Sequence, residues 1–374
     1  MEPVLIAITI FIATTAVSRV LVSRVLLLSQ RLQVLIDLPG PRRVHTTPVP
    51  RSGGVAVFLA FVFGVTLSFS LGVERFPSEV ERIALLLAAS ALIVGFMLYD
   101  DALGLSPKIK LLVQIGVALI VVLPRLQGRA HGIVIDQFNA PHVGLVTLPV
   151  GIAMAFTVFW IVGMMNTVNW LDGLDGLASS VALVACAVLF AHTYFWPRNN
   201  PQFTISLLPL ALGAAIIGFL PFNWHPARII LGDAGANFLG LALAVLSIIG
   251  GAKIATALLA LGLPVLDVAW VIVYRTVHGQ SPLTADRGHL HHRLLDQGWS
   301  QARIVGFVAG VSAVFGTLAL ILPSREAKLL AMLILGLVLL GTVGGMAIRG
   351  KRSDRREADQ QPPPALVRRG DRAT

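Results

Sequence analysis

The residues best suited to chemistry in this chain lie in the segment NTVNWLDGLDGLA, residues 166–178. Two amides and two acids recur there at every third position, between two long apolar runs: Asn166, Asn169, Asp172 and Asp175. Amides and carboxylates are costly at the edge of hydrocarbon, so their presence indicates a functional site. On a helix the four would form a slanting stripe. Alternatively, the intervening glycines open the backbone to a ligand, or one pair caps the helix that begins near Leu177.

Further carboxylates occur in two other polar segments. Asp100 and Asp101 end an apolar run in YDDALGLSPKIK, and because adjacent carboxylates repel, they imply a cation or another positive partner. Lys108 and Lys110 follow, and either could hold a phosphate or anchor the chain at the interface. Asp233, in LGDAGANFLG, precedes a helical run, where it could bind a ligand or serve as an N-cap.

Two basic segments supply the opposite charge. The loop 29–52 contains DLPGPRRVHTTPVPRSGG, whose Arg and His side chains can bind anions or serve only as a positively charged topology loop. The segment DRGHLHHRL, residues 286–294, contains Arg287, His289, His291, His292 and Arg293. Zinc is the alternative there, but Cys ligands are absent and the spacing fits no common zinc pattern. Together, the acids and the basic segments suit Mg²⁺ on a diphosphate, since Mg²⁺ binds few protein ligands and shares substrate phosphates.

One acid lies inside an apolar run instead of at its end. Asp267 follows Pro264 in that run, where an ionisable group needs a partner. Arg275, two turns further on, is the candidate that the sequence offers.

The elements that must position these residues are membrane-spanning helices. The 374 residues are 56% hydrophobic and 13% charged, unlike an ordinary soluble protein. Apolar runs of about 16 to 25 residues recur along the chain, long enough to cross a bilayer. We predict an all-α polytopic integral membrane protein with about 11 transmembrane helices, or 10 if the boundary near Gly250 and Gly251 is one broken helix. The predicted spans are 3–28, 53–73, 83–99, 108–123, 145–165, 176–195, 204–221, 235–250, 254–274, 303–322 and 328–348.

Loop alternation places the polar motifs on one side of the membrane. The loops on that side, together with the tail, carry more Lys and Arg than the opposite loops, so the positive-inside rule predicts a cytoplasmic active-site face. We predict a single transmembrane catalytic domain over 1–348 and a disordered basic cytoplasmic tail over 349–374. The net charge of +10 does not indicate nucleic-acid binding, because aromatic and basic residues are not interleaved.

Five motifs in order carry a resemblance to a known family. They are DxPxxRxxHxxPxPRxGG from Asp37, the Asp100–Asp101 pair, NxxNxxDGLDGLA, GDAG and HLHHRL. Each motif alone is weak, but their order is specific. The chain resembles the polyprenyl-phosphate N-acetylhexosamine-1-phosphate transferases of glycosyltransferase family 4, membrane enzymes that start bacterial cell-envelope glycans.

The resemblance implies a role for each motif. Asn169 and Asp233 would hold Mg²⁺, for which Mn²⁺ could substitute. Asp100 and Asp101 would lie at the reaction centre and Lys110 near the lipid phosphate, while Asp175 would contact the uracil ring. The remaining residues expected to bind substrate are Asp172, Arg42, His45, His289, His291, His292 and Arg293.

The implied reaction is attack by undecaprenyl phosphate on the β-phosphorus of a UDP-N-acetylhexosamine, releasing UMP at the inner membrane. HLHHRL looks more like the subgroup that uses UDP-N-acetylglucosamine than the one with a muramyl-pentapeptide donor. The first loop is similar to relatives that use modified N-acetyl sugars, and Ala236 stands where relatives often have Ser. A homodimer is a further expectation. A secondary transporter is the alternative class, but transporters place ionisable groups near the midplane of related halves, and no halves match here.

Overall fold

The structure is a computed structural model. It describes residues 2–38, 47–140, 144–195, 202–250, 254–279, 281, 288–322, 324, 326–338 and 341. Three predicted site positions, Arg42, His45 and Arg287, lie outside the described residues, as do the end of the last predicted span and the tail 349–374.

The described chain is almost entirely helical. Its labelled helices are α1 (Pro3–Leu32), α2 (Gly53–Ser70), α3 (Pro77–Leu103), α4 (Pro107–Val122), α5 (Val150–Leu171), α6 (Leu177–Phe195), α7 (Phe203–Asn223), α8 (Gly232–Ile249), α9 (Ile254–Ala260), α10 (Gly262–Val277), α11 (Leu290–Asp296) and α12 (Gln301–Ile321). A 3₁₀ turn, Leu123–Gln127, extends α4, and residues 326–338 are also helical. The strands are β1 (Ile36–Asp37), β2 (Val49–Pro50), β3 (Gln137–Ala140) and β4 (Gly144–Thr147).

Nine helices in the described ranges are long and apolar enough to cross a membrane. They are α1 to α8 and α12, with the 3₁₀ turn counted in α4. Many apolar side chains on them face outward; Phe159, for example, is 73% exposed, as expected of a lipid-facing surface. The predicted all-α polytopic membrane fold is confirmed.

The ninth predicted span, residues 254–274, is not one straight helix. It is broken into α9 and α10, which meet at an angle of 82°. Pro264 lies in the first turn of α10, where its missing N–H costs nothing, and it could not have continued α9 without losing a hydrogen bond. The break therefore follows from Gly262 and Pro264, which a hydropathy window does not register.

The fifth predicted span also begins later than expected. Residues 144–147 form β4, which pairs antiparallel with β3, and α5 starts only after Pro149. Pro149 is the N-cap of α5 and directly precedes its first helical residue.

Helix α8 is the most deeply buried helix in the described chain. It packs against α2, α3 and α5, and all of its residues except Asp233 are buried. Asp233 lies in its first turn, so this carboxylate is held at the end of the best-packed helix. The first loop is held by the pairing of β1 with β2. The register, with Asp37 opposite Val49, brings Arg51 towards α8.

Candidate active site

Asp101 joins the end of α3 to the beginning of α8. Its Oδ1 accepts a hydrogen bond from the Asp233 backbone N–H (3.0 Å) and its Oδ2 accepts one from Ala234 (3.1 Å). The first N–H groups of a helix have no partner within the helix, and a carboxylate also complements the helix dipole. The fully buried Asp101 side chain thus caps α8 and fixes the position of Asp233.

Arg51 is the cation that holds these acids together. Its Nη2 lies 3.1 Å from Asp101 Oδ1 and 3.3 Å from Asp233 Oδ1, and its Nη1 lies 3.6 Å from Asp37 Oδ1. Although burial opposes the charged form, the carboxylates of Asp101, Asp233 and Asp37 raise the Arg51 pKa above its ordinary value. The sequence motif contained Arg51, but it was not among the predicted site residues.

The first glycine of GDAG, Gly232, is required by this close approach. Gly232 has φ +70°, and a Cβ there would lie 2.2 Å from the Arg51 carbonyl oxygen and 2.8 Å from Asp101 Oδ2. A side chain would therefore separate Arg51 and Asp101 from the start of α8.

Lys110 connects Asp100 to the cluster. Its Nζ lies 2.5 Å from Asp100 Oδ2 and 2.6 Å from Asp233 Oδ2. The other oxygen of Asp100 accepts a hydrogen bond from the Leu105 N–H at 2.6 Å. Asp100 therefore orients the Lys110 ammonium, whereas Lys108, two residues earlier on α4, is exposed.

The motif at 166–178 is divided between a helix and a turn. Asn166 and Asn169 lie on α5, which ends at Leu171, so the four residues do not form the predicted helical stripe. The turn that follows brings Asp172 into the field of the acids: burial, and then the Asp233 carboxylate, raise the Asp172 pKa well above its ordinary value. The glycine-containing stretch forms a turn between α5 and α6, and the expected approach of a ligand to its backbone stays a prediction.

Asp175 is held by a neighbouring loop and not by the Asp233 cluster. Its Oδ2 accepts hydrogen bonds from His225 Nδ1 (2.7 Å) and the Ala227 N–H (3.1 Å), and its own N–H donates to Gln301 (3.2 Å). The carboxylate is buried, and the exposed His225 ring lies against it. His225 was not predicted, and the expected contact of Asp175 with uracil stays a prediction.

Asp267 anchors the histidine segment. Its two oxygens accept hydrogen bonds from His289 Nδ1 and the Leu290 N–H, both at 2.9 Å, so it caps the short helix α11. The partner expected from the sequence, Arg275, instead lies with its guanidinium 5.9 Å from the centre of the Trp170 ring. The intramembrane acid is thus part of the site's support.

The histidines pack against the end of α5. The His289 ring lies 5.6 Å from Trp170 and stacks at 5.8 Å with His291. The His291 ring packs directly against Gly173, since a Cβ at Gly173 would lie 2.5 Å from His291 Nε2. That Nε2 is buried without a hydrogen-bond partner in the described part of the chain.

Electrostatics keep the buried histidine neutral. Burial, followed by the neighbouring His292 and His289, lowers the His291 pKa well below its ordinary value. Arg293 points back to its own segment, its Nε donating to the Gly288 carbonyl at 2.8 Å. The motif 166–178 therefore lies between two of the predicted clusters, the acids on one side and the histidines on the other.

The donor set suits a hard divalent cation. Within the described residues, five carboxylates lie around the cations Arg51 and Lys110: Asp37, Asp100, Asp101, Asp172 and Asp233. No group of three His, Cys, Asp or Glu residues that could hold a metal occurs among the described residues. Mg²⁺ needs only one or two carboxylates plus water and substrate phosphate, so these carboxylate oxygens fit it. The Asn169 amide makes no side-chain hydrogen bond within the described ranges, which leaves its oxygen available.

Asp267→Asn is expected to lower activity about 10- to 100-fold with little change in expression, because a site residue misplaced by about 1 Å can cost a loss of that size. Asn can accept from only one of the two donors, so the His289 ring loses its fixed orientation. The measurement is the initial rate at saturating and limiting donor. A rate equal to wild type would show that Asp267 only caps α11.

Fold and site together define a multi-pass membrane protein in which acidic and basic side chains meet at one end of its helices. The chain belongs to glycosyl transferase family 4, whose model matches residues 83–251. It is 33% identical over 291 residues to a probable undecaprenyl-phosphate N-acetylglucosaminyl 1-phosphate transferase of Bacillus subtilis, covering 75% of this chain and 76% of that protein. It is 32% identical over 292 residues to a decaprenyl-phosphate N-acetylglucosaminephosphotransferase of Mycobacterium tuberculosis, covering 72% and 71%. A phospho-N-acetylmuramoyl-pentapeptide-transferase of Streptococcus suis is 33% identical over 207 residues, covering 53% and 58%.

Proposed function

We propose that this protein transfers N-acetylglucosamine-1-phosphate from its UDP derivative to undecaprenyl phosphate and releases UMP. The observation that carries the proposal is the cluster of Asp100, Asp101, Lys110, Asp233 and Arg51 at the start of α8. It lies in a chain that is similar over most of its length to named transferases of this type. Muramoyl-pentapeptide transferases match either over less of the chain (53%) or at lower identity (26% over 303 residues), so N-acetylglucosamine is the favoured sugar.

In this reaction an oxygen of the lipid phosphate attacks the β-phosphorus of the donor. The new bond joins that oxygen to the β-phosphorus, and the bond to the oxygen bridging the two donor phosphates breaks, so UMP leaves with the bridging oxygen. A phosphate monoester has its second pKa near about 6, so much of the acceptor is already a dianion at neutral pH. Positioning and charge neutralisation then matter more than proton abstraction.

The residues of the cluster divide this work. Lys110 and Arg51 each pair with carboxylates, and a substrate phosphate can take the place of a carboxylate in these ion pairs. Asp100 keeps the Lys110 ammonium in position. Asp101 fixes the N-terminal end of α8, whose dipole favours an anion. We assign Asn169 and Asp233 as the protein ligands of Mg²⁺, which would neutralise the charge of the donor diphosphate; Mn²⁺ should substitute.

The test is UMP release by the purified protein from UDP-N-acetylglucosamine, undecaprenyl phosphate and Mg²⁺. A panel of other UDP-N-acetyl sugars and the muramyl-pentapeptide donor identifies the substrate. Chelation should abolish release, and Mg²⁺ or Mn²⁺ should restore it. Sugar flux across vesicles with no UMP release would favour a transporter instead. Chemical cross-linking in membranes tests the expected homodimer.

We propose that the cluster faces the cytoplasm of a bacterial cell and that the β3–β4 hairpin lies on the other side of the inner membrane. In a Cys186→Ala background, a cysteine at exposed position 145 should react with an impermeant thiol reagent in intact cells. A cysteine at exposed position 108 should react only after permeabilisation. Position 108 lies at the start of α4, whereas position 145 lies in the hairpin that follows the other end of this helix. The reverse pattern would contradict this topology.

A further inference from the structure

A buried chain of side-chain amides lies one helical turn beneath the acidic cluster. Asn166 on α5 donates from Nδ2 to Gln114 Oε1 on α4 at 2.8 Å. Gln114 in turn donates from Nε2 to Asn237 Oδ1 on α8 at 2.7 Å. Gln114 is 3% and Asn237 1% exposed, so these two side chains have almost no access to solvent.

Each amide lies on the same helix as a residue of the candidate site, three or four positions away. Lys110 precedes Gln114 by four, Asp233 precedes Asn237 by four, and Asn169 follows Asn166 by three. Residues at these spacings lie above one another on one face of a helix. The network therefore ties together the three helices that carry the ammonium, the carboxylate and the amide of the site.

The direction of the hydrogen bonds makes the arrangement specific. Asn166 also donates to the Val162 carbonyl at 2.9 Å, and Asn237 donates from Nδ2 to the Asp233 carbonyl at 2.9 Å. Gln114 thus accepts at Oε1 and donates from Nε2, and turning its amide round would lose both hydrogen bonds. A rotation or a slide of α4 by a fraction of a turn would leave amide groups unpaired in an apolar interior, which is costly.

We propose that Gln114 is a positioning residue that sets the register of α4 against α5 and α8, and thereby the placement of Lys110 relative to Asp233 and Asn169. The inference rests on the proposed function for its kinetic consequence. It adds to that function a residue that touches neither substrate nor metal.

The kinetic test separates positioning from general stability. Gln114→Leu should lower both the melting temperature and kcat, since it leaves the Asn237 oxygen buried without a donor. Gln114→Leu combined with Asn237→Leu replaces the Gln114–Asn237 pair by apolar groups, which is often nearly neutral for stability, while Asn166 keeps its hydrogen bond to the Val162 carbonyl. In this double variant the melting temperature should recover, while kcat should stay about 10- to 100-fold below wild type, the loss typical of a misplacement of about 1 Å. Recovery of kcat together with stability would overturn the proposal.

Ser247→Ala is the control: it removes a buried polar contact between α5 and α8, two of the three helices that the amide network joins. Ser247 accepts a hydrogen bond from Trp160 Nε1 at 3.3 Å, near the other end of α8. Trp160 keeps its hydrogen bond to the Ala244 carbonyl at 3.3 Å in this variant. Its kcat should equal that of wild type.

A measurement without turnover distinguishes failure of this inference from failure of the proposed function. Spin labels at exposed positions 108 and 228, in a Cys186→Ala background, report the distance between α4 and the loop that leads into α8. The distribution should be broader or shifted in the double variant and unchanged in Ser247→Ala. An unchanged distribution in the double variant would overturn the inference. Absence of UMP release by wild type would reject only the proposed function.

Discussion

Asp233→Asn is expected to lower the rate of UMP release about 10²- to 10³-fold and to leave the protein folded. The Asp233 carboxylate accepts from Lys110 and pairs with Arg51, yet it is the only residue of α8 that is not buried. It therefore combines access to a ligand with a fixed position. Removing its charge weakens the proposed Mg²⁺ site and the balance between the two cations, an electrostatic loss of the size seen when one preorganised group is deleted.

The measurements are initial rates over a Mg²⁺ titration and the melting temperature in the same detergent. The variant should need more Mg²⁺ for half-maximal rate, and its melting temperature should remain close to wild type because Asp101 still caps α8. Lys108→Ala is the control, since it removes an exposed charge near the site and should have no effect. A wild-type rate at low Mg²⁺ would reduce Asp233 to a helix-terminal residue.

Apolar runs predicted most of the membrane helices because length and hydropathy are local properties of the chain. The break between α9 and α10 depended on Pro264 and Gly262, and hydropathy does not distinguish a bent pair from one straight span. The start of α5 was misjudged because the strand residues 144–147 are as apolar as a helix end. Local pattern therefore predicted the existence of the elements, but it placed some boundaries up to six residues away, as at the start of α3 (83 predicted, Pro77 observed) and the end of α5 (165 predicted, Leu171 observed).

The motifs predicted which residue types matter but not how they pair. The pairings of Arg51 with Asp101 and of Asp101 with the first N–H groups of α8 join residues far apart in sequence, and no local pattern encodes them. Asp267 shows the same limit: an acid in an apolar run signals a partner, but only the tertiary contact between α10 and the start of α11 identifies His289. Gln114 carried the same kind of signal, a lone amide in an apolar run, and it was overlooked.

Asp100→Asn and Asp101→Asn are expected to fail in different ways. Asn at 100 loses the charge that orients Lys110, so the rate should fall about 10²-fold with a small change in melting temperature. Asn at 101 can no longer accept from both Asp233 and Ala234, leaving a buried N–H unpaired at a cost of about 1–3 kcal/mol. Its rate and its melting temperature should both fall. Equal melting temperatures for the two variants would contradict the capping role of Asp101.

The pH dependence of the residual activity then separates a base from a positioning group. If Asp100 were an essential proton acceptor, the acidic limb of the wild-type profile would reflect its ionisation and would disappear in Asp100→Asn. If positioning dominates, that limb follows the lipid phosphate, whose dianion is the better nucleophile and forms as pH rises through about 6. We therefore expect the residual rate of Asp100→Asn to rise with pH across that range, as it does in Asp101→Asn and in wild type. A flat profile in Asp100→Asn alone, with the limb intact in Asp101→Asn, would make Asp100 the base.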